Sequence, residues 1–581
     1  MNKDLNDKDP KSKNPMVKAP IDRNPIDKDE SYEVTISKMR SLLSKHGFEI
    51  EERSWNNPVS GIYSVHIREK SSHFIYTNGK GATKEAAITS GLGEFFERIS
   101  CNYLFCDYYL KKNSSFVFYP DEIWLSKSSD EIKKRCLNES LWKFYGELNS
   151  EDLVEYNTDS EKICAIPFEA INSKSKIYFP VNILDNLYVS NGMAAGNSVY
   201  EARVQALSEI IERNIKFRII SNGISLPEVP NEVLEKFPGI LKSINELESH
   251  GFIIKVNDAS LGGKFPVINI NLINSEGAIF SAYGAHPFLE TSIERTLTEL
   301  LQGRDLDKLN DLKKPSFDKE LVQSPANIEE HFIDSTGYIL IDSISEKKDF
   351  LYSFINFEGN TKEQYEYLLN TINNEDKEIY IADYDHLGIY CCRIIIPGFS
   401  EIYPLTDLTY ENKNRRALLR DKLLRIDFED KASSKELYEF IMDEEFDYNE
   451  SIYEITGVIT DSKYPVSICE FLLLLSISIQ EFDETLMWFE MLSLDATDPD
   501  RAKIYSCMEI LLNMEKEDKN IDDYKEYLNN AYGKDFYLEV TKIISGEISV
   551  KSLFNFNIES NNYIKFIKLY ERNISALIAG A

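Results

Sequence analysis

The spacing of apolar positions divides the chain into three stretches. Residues 1–30 hold almost nothing apolar and carry Pro10, Pro15, Pro20 and Pro25 among Lys, Asp and Asn, the composition of a disordered leader. From Tyr32 the pattern changes: Ile36, Met39, Leu42 and Leu43 recur at helical spacing. Residues 62–67 then alternate apolar and polar positions, as a strand with one buried face does, and 252–256, 267–272 and 392–396 read similarly. Long amphipathic helices are predicted between these strands. The expectation for residues 31–410 is therefore an α+β body in which helices and strands interleave.

Beyond that body the strand signals fade. Residues 411–581 are predicted to form an acidic, all-α domain, with one helix over 471–494, a turn at 495–500 and a second helix over 501–514. Paired helices of this kind resemble a helical-repeat, TPR-like architecture, although no clean 34-residue period is present.

A length of 581 residues suits two to four domains, and 43% hydrophobic with 28% charged residues suits a soluble globular protein. The 65 Lys and Arg stand against 97 Asp and Glu, a net charge of −32. A surface that acidic repels phosphate backbones and anionic lipid, so no direct nucleic-acid or membrane partner is expected. An anionic ligand needs a local basic pocket or a metal ion. No apolar run approaches the ~18 residues of a membrane helix, and the start lacks a signal-peptide layout. Eight cysteines without CxxC spacing and seven scattered histidines argue against disulfides and against a Cys- or His-based metal centre. The reading is a cytoplasmic protein with reduced thiols.

One short motif occurs three times: Glu94-Phe95-Phe96-Glu97-Arg98, Glu209-Ile210-Ile211-Glu212-Arg213 and Glu299-Leu300-Leu301-Gln302-Gly303-Arg304. Helical geometry puts Ile88, Leu92, Phe95, Phe96 and Ile99 on one arc, with Ser90, Glu94, Glu97 and Arg98 opposite. In the second segment Val204, Leu207, Ile211 and Ile215 form the apolar stripe, and Glu201, Gln205, Glu209 and Glu212 line an adjacent face with Arg213 at its edge. In the third, Ile293, Leu297, Leu300 and Leu301 are the buried stripe, and Arg295 and Glu299 point away. Such residues usually form solvated helix faces. Here, however, Glu94 with Glu97 and Glu209 with Glu212 set like charges one turn apart, with no lysine among the motif positions, and the pattern recurs three times. Carboxylates so arranged suit a hard cation such as Mg²⁺.

Glycine-containing stretches at 77–83 and 190–198 precede the first two helices. Two readings stay open for them: turns with caps, or glycine-rich helix starts whose N–H groups approach phosphate. Neither is a P-loop, and neither completes GxGxxG. His286, in a turn predicted at 283–287, reads as a hydrogen-bonded turn histidine, and no side-chain general base stands out.

Taken together, Ser90-(x3)-Glu94-(x2)-Glu97-Arg98, Glu201-(x3)-Gln205-(x3)-Glu209-(x2)-Glu212-Arg213 and Arg295-(x3)-Glu299 resemble the three ATP-binding signatures of the YcaO family, in order. The resemblance runs from about residue 31 to the end. It implies a YcaO-type ATP-binding body followed by the helical domain, and ATP held with Mg²⁺ in a non-standard pocket. Glu94, Glu97, Glu209, Glu212 and Glu299 are the implied magnesium ligands. Ser90, Glu94, Arg98, Asn197, Glu201, Gln205, Arg213 and Arg295 are the implied nucleotide contacts. Family members activate a peptide amide: a nucleophile adds to the carbonyl, ATP phosphorylates the oxyanion, and phosphate departs. Azoline-forming members commonly end in PxPxP, whereas no proline follows Pro499 here. That departure points to the non-azoline branch, associated with β-methylthiolation of an aspartate in a small-subunit ribosomal protein. There the family member is an accessory factor to a radical iron–sulfur methylthiotransferase, whose CxxxCxxC motif this chain lacks. The implied partners are that enzyme or the ribosomal protein, and the paired apolar faces of residues 411–581 suit a second copy of the chain, a homodimer. The competing readings are an ATP-dependent enzyme making a thioamide or amidine in an unknown peptide, and a non-catalytic scaffold with structural nucleotide.

Overall fold

The structure is a computed structural model. It describes residues 28–580 apart from 111–120, 147, 158–160, 307–308, 310–311, 411, 445, 493–496 and 555–559. The disordered leader expected at 1–30 thus falls almost wholly outside the described residues, as do residues 495 and 496 of the turn expected at 495–500, whose last two residues instead begin the helix Pro499–Lys516.

Three antiparallel sheets build the body. β1 (Ile50–Asn56), β2 (Tyr63–Glu69) and β3 (Ser72–Gly81) form the first, in chain order. β4 (Ile123–Leu125), β5 (Ile163–Ala170), β6 (Lys176–Pro180) and β7 (Met193–Gly196) begin the second. The third is the meander β8 (Ile253–Asp258), β9 (Val267–Ile273) and β10 (Ile279–Ala285). β11 (Tyr380–Tyr384) and β12 (Tyr390–Ile395) then complete the second sheet in the order β4-β5-β11-β12-β7, with β6 on β5. All four predicted strands are present. Residues 283–285, expected in a turn, instead end β10, paired with β9 from Ala285↔Val267 inward.

Each sheet carries one long helix. α1 (Tyr32–Lys45) packs on α2 (Lys84–Ser100), which lies on the first sheet with Leu92, Phe95, Phe96 and Ile99 fully buried. α3 (Val199–Asn222) packs on β7 and β12 of the second sheet and also on β10 of the third. That double contact explains why its apolar face is broad: Ala202, Leu207, Ile210, Ile211 and Ile215 are all buried. α4 (Leu289–Leu300) lies on β9 and β10 with Ile293, Leu297 and Leu300 inward. The recurrent motif is therefore one packing solution used three times, an apolar helix face on an antiparallel sheet with its polar face turned outward.

After helix Asn414–Arg425 no strand occurs among the described residues. The helices form their own core around Ile468–Ile479, whose residues 468–477 are all buried against Leu437, Ile441, Trp488, Tyr505 and Met508. The single helix expected over 471–494 is in fact two, Ile468–Ile479 and Phe482–Met491, because Gln480 adopts φ +63° and ends the first. The last helix, Asn561–Gly580, returns to the body. Phe566 and Tyr570 stack edgewise on Phe105, and Asn573 Nδ2 donates to the Ile99 carbonyl at the end of α2. None of the described helices is long and apolar enough to cross a membrane.

Candidate functional site

The polar faces of α2, α3 and α4 meet at one cavity of about 900 Å³. Ser90, Glu94, Glu97 and Arg98 reach it from α2, and Glu201, Gln205, Glu209, Glu212 and Arg213 from α3. Arg295 and Glu299 reach it from α4, and Asn197 from the turn before α3. All twelve residues singled out in the sequence line this one space.

Local chemistry fixes how they stand. Thr83 caps α2 by accepting from the Ala86 N–H at 3.1 Å, and Ser198 caps α3 by accepting from the Glu201 N–H at 3.2 Å. The leading N–H groups are thus engaged by the chain's own hydroxyls. Ahead of the two helices Gly79, Gly81 and Gly196 belong to strands, whereas Gly192 lies in the turn before β7 with φ +81°. The strand glycines serve close packing, since a Cβ on Gly79 would stand 2.0 Å from the Ala87 carbonyl, and one on Gly196 would stand 2.5 Å from the Ala202 nitrogen. Of the two open readings, the structure favours caps and packing over a phosphate loop.

Within the cavity, Arg98 spans Glu94 (3.3 Å) and Glu97 (3.4 Å). Arg213 holds Glu209 at 2.9 Å, donates to Asn191 Oδ1 at 3.2 Å and covers the Phe332 ring. Asn197 Nδ2 donates to both oxygens of Glu201, and its Oδ1 accepts from Thr35 on α1. Glu201 also accepts from the Asp29 N–H and lies 3.7 Å from the Lys28 ammonium, so the segment entering α1 borders the site. His286 lies outside the cavity; its Nδ1 accepts from the Phe288 N–H at 3.1 Å, as a turn histidine would.

Three cations escaped the sequence reading. Lys80 on β3 pairs with Glu299, so a lysine does neutralise part of the carboxylate cluster. Its signal was present: alternation along β3 puts Asn78 and Lys80 on the face opposite the buried Thr77 and Gly79. Lys216 lines the cavity one turn past Glu212, where the helical spacing of Glu201, Gln205, Glu209 and Glu212 leads. Lys28 comes from the edge of the leader.

Nine glutamates and six cationic side chains line the cavity among the described residues. Burial holds the carboxyls of Glu97 and Glu212 above the usual carboxylate range and pulls the Lys80 ammonium down. Carboxylate oxygens alone are a donor set for a hard cation, and the arginines and lysines suit phosphate oxygens. Among the described residues no three acidic, His or Cys side chains already surround one point as a metal cage. Mg²⁺ does not require one, since it typically takes one or two carboxylates with phosphate oxygens and water completing the octahedron. The residues fit a nucleotide carried with Mg²⁺.

The family model described as YcaO cyclodehydratase, ATP- and Mg²⁺-binding, matches residues 78–400, and that of the YcaO cyclodehydratase C-terminal domain matches 416–571. The chain belongs to the YcaO family. The ribosomal protein S12 methylthiotransferase accessory factor YcaO of Escherichia coli (strain K12) is 41% identical over 545 residues, 90% of this chain and 93% of that protein. An uncharacterised protein of Haemophilus influenzae is 40% identical over 530 residues, 87% of this chain and 90% of its own. Among solved structures, YcaO from Methanopyrus kandleri bound with AMPPCP and Mg²⁺ is 17% identical, with a TM-score of 0.39 over 65% of this chain and 93% of that one.

Proposed function

We propose that this chain binds ATP with Mg²⁺ in the cavity between α2, α3 and α4 and serves as an accessory factor in methylthiolation of ribosomal protein S12. Glu94, Glu97, Glu209, Glu212 and Glu299 hold the metal; Ser90, Arg98, Asn197, Glu201, Gln205, Arg213 and Arg295 contact the nucleotide. The observation that supports this most is the convergence of these twelve residues, eleven from three helices and Asn197 from the turn before α3, on a single cavity. The relationship to the Escherichia coli accessory factor, over nine-tenths of both chains, supplies the process.

When bound, Mg²⁺ offsets charge on the phosphoryl group being transferred. The chain's own residues position the reactants. Arg98 is steadied by Glu94, Glu97 and the Tyr103 ring at 4.9 Å, and Arg213 by Glu209 and the Phe332 ring at 4.8 Å, leaving N–H groups for phosphate oxygens. The reaction class is ATP-dependent activation of an amide or carbonyl oxygen: a nucleophile adds to the carbonyl carbon, the oxyanion takes a phosphoryl group from ATP, and the carbon–oxygen bond then breaks with phosphate as the leaving group. Deleting the gene is expected to abolish the methylthio mass on the S12 aspartate. Wild type restores it on complementation, and Glu209→Ala does not. Unchanged modification in the deletion strain would remove the accessory role while leaving nucleotide binding to be tested separately.

A further inference from the structure

The polar face of α3 continues past Glu212 to a buried pair of groups that no nucleotide contact above uses. Lys216 is only 6% exposed. Its ammonium donates to the His331 carbonyl and, at 2.8 Å, to Ser335 Oγ. An ammonium has three N–H donors, and among the described residues the third has no acceptor and no carboxylate within ion-pair distance. Glu212, one turn back along α3, and Asp334 offset part of the Lys216 charge from beyond ion-pair distance, so what stays unmet is the third N–H itself, a costly state for a buried donor.

His331 complements it. The ring is fully buried, and Nε2 lies 3.0 Å from the Tyr338 carbonyl, so Nε2 carries the proton. Nδ1 is then a bare lone pair, and it has no partner. Gly337 seals the opposite edge of the ring, since a Cβ there would stand 2.4 Å from Cδ2 and 2.6 Å from Nε2. Burial also pushes this imidazole down to about 3, which keeps it neutral. Both residues line the cavity.

A spare N–H donor and a spare acceptor, on residues already bonded to each other, match a group that accepts on one atom and donates from its neighbour. An amide does this through its C=O and N–H. Phosphate has no such donor. The adenine edge has, but position along α3 argues against it. At 1.5 Å per residue Lys216 lies about 22 Å from Glu201 and about 6 Å beyond Glu212, past the metal end of the proposed nucleotide site. We propose that Lys216 and His331 form the acceptor-amide subsite, Lys216 donating to the amide oxygen and His331 Nδ1 accepting from its N–H. This inference rests on the nucleotide reading above.

The test uses the full chain labelled with ¹⁵N-histidine and saturated with MgATP. The probe is the purified ribosomal protein of the proposed function. Among the seven histidines, His331 is assigned by its loss in His331→Gln. Its Nδ1 signal is expected to sit in the unprotonated range and to move when the probe is added. A second arm compares Lys216→Met with wild type: stabilisation by MgATP is retained, and probe affinity falls about tenfold, the order expected for one buried hydrogen bond. Lys216→Arg, which keeps a donor, recovers part of that loss. An Nδ1 signal that stays put at saturating probe overturns the proposal. So does loss of MgATP stabilisation in Lys216→Met, which would make the pair part of the nucleotide site. If wild type itself gains no stability from MgATP, the nucleotide reading fails, and the Nδ1 titration still reports on the pair.

Discussion

Gly93 gives the sharpest perturbation of the site that leaves the fold alone. It stands on the cavity face of α2 between Ser90 and Glu94, and a Cβ built on it meets no atom within 4 Å. In the free protein Gly93→Ala therefore costs no packing, and replacing glycine in a helix interior contributes about 1 kcal/mol of stability. For a chain of this size that raises the melting temperature by about a degree. With nucleotide present the sign reverses. MgATP at ~100-fold its dissociation constant stabilises by about 2.7 kcal/mol. A methyl group standing in volume the ligand occupies costs on the order of 1–3 kcal/mol, so most of that gain disappears at the same MgATP concentration. Differential scanning fluorimetry of both proteins, with and without MgATP, reads both effects. A variant that is destabilised when free, or that gains as much from MgATP as wild type, refutes the placement of nucleotide against α2.

Gly79→Ala is the opposite case: with the Ala87 carbonyl 2.0 Å from its new Cβ, β3 and α2 must separate, and urea unfolding is expected to show a loss of about 3 kcal/mol or more. Lys80→Met removes the counter-charge of Glu299, so MgCl₂ without nucleotide should raise its melting temperature more than it raises that of wild type at matched ionic strength; equal responses would contradict a role for Lys80 in neutralising the cluster. Burial pushes His386 down to about 4, below its unfolded value near 6.5. Below pH 6.5 the unfolded chain therefore takes up a proton that the folded chain refuses, and stability present at pH 7.5 is lost on acidification. The loss from this one group at pH 5.5 is about 1.4 kcal/mol. Wild type should lose that much more than His386→Gln between the two pH values, and parallel curves would contradict it.

How much was legible in the sequence depended on periodicity. The apolar arcs of α2, α3 and α4 were readable because each helix buries one side on a sheet, and a 3.6-residue period records that directly. The same arcs fixed which glutamates and arginines point away, so the site came with them. Strand pairing was not readable in this way, because nothing local says that three separate antiparallel sheets aim their helices at one point. Lys80 and Lys216 were missed because both lie outside the recurring motif, although strand alternation for the first and the helical spacing past Glu212 for the second carried the signal. Glycine patterns left two readings open. Gly79 and Gly196 look like phosphate-loop glycines, yet they are small because a helix backbone lies against them. Gln480 breaks a run of apolar residues that reads as one continuous helix, since a left-handed non-glycine residue carries no sequence signal of its own.

The most direct test of the central claim is thermal unfolding of the purified protein with ATP, in Mg²⁺ and in EDTA, beside Glu209→Ala. Glu209 lines the cavity and is held by Arg213 at 2.9 Å. The account predicts a rise of a few degrees with ATP that requires Mg²⁺ and is lost in the variant. No rise for wild type at millimolar MgATP, or an equal rise in Glu209→Ala, would contradict it.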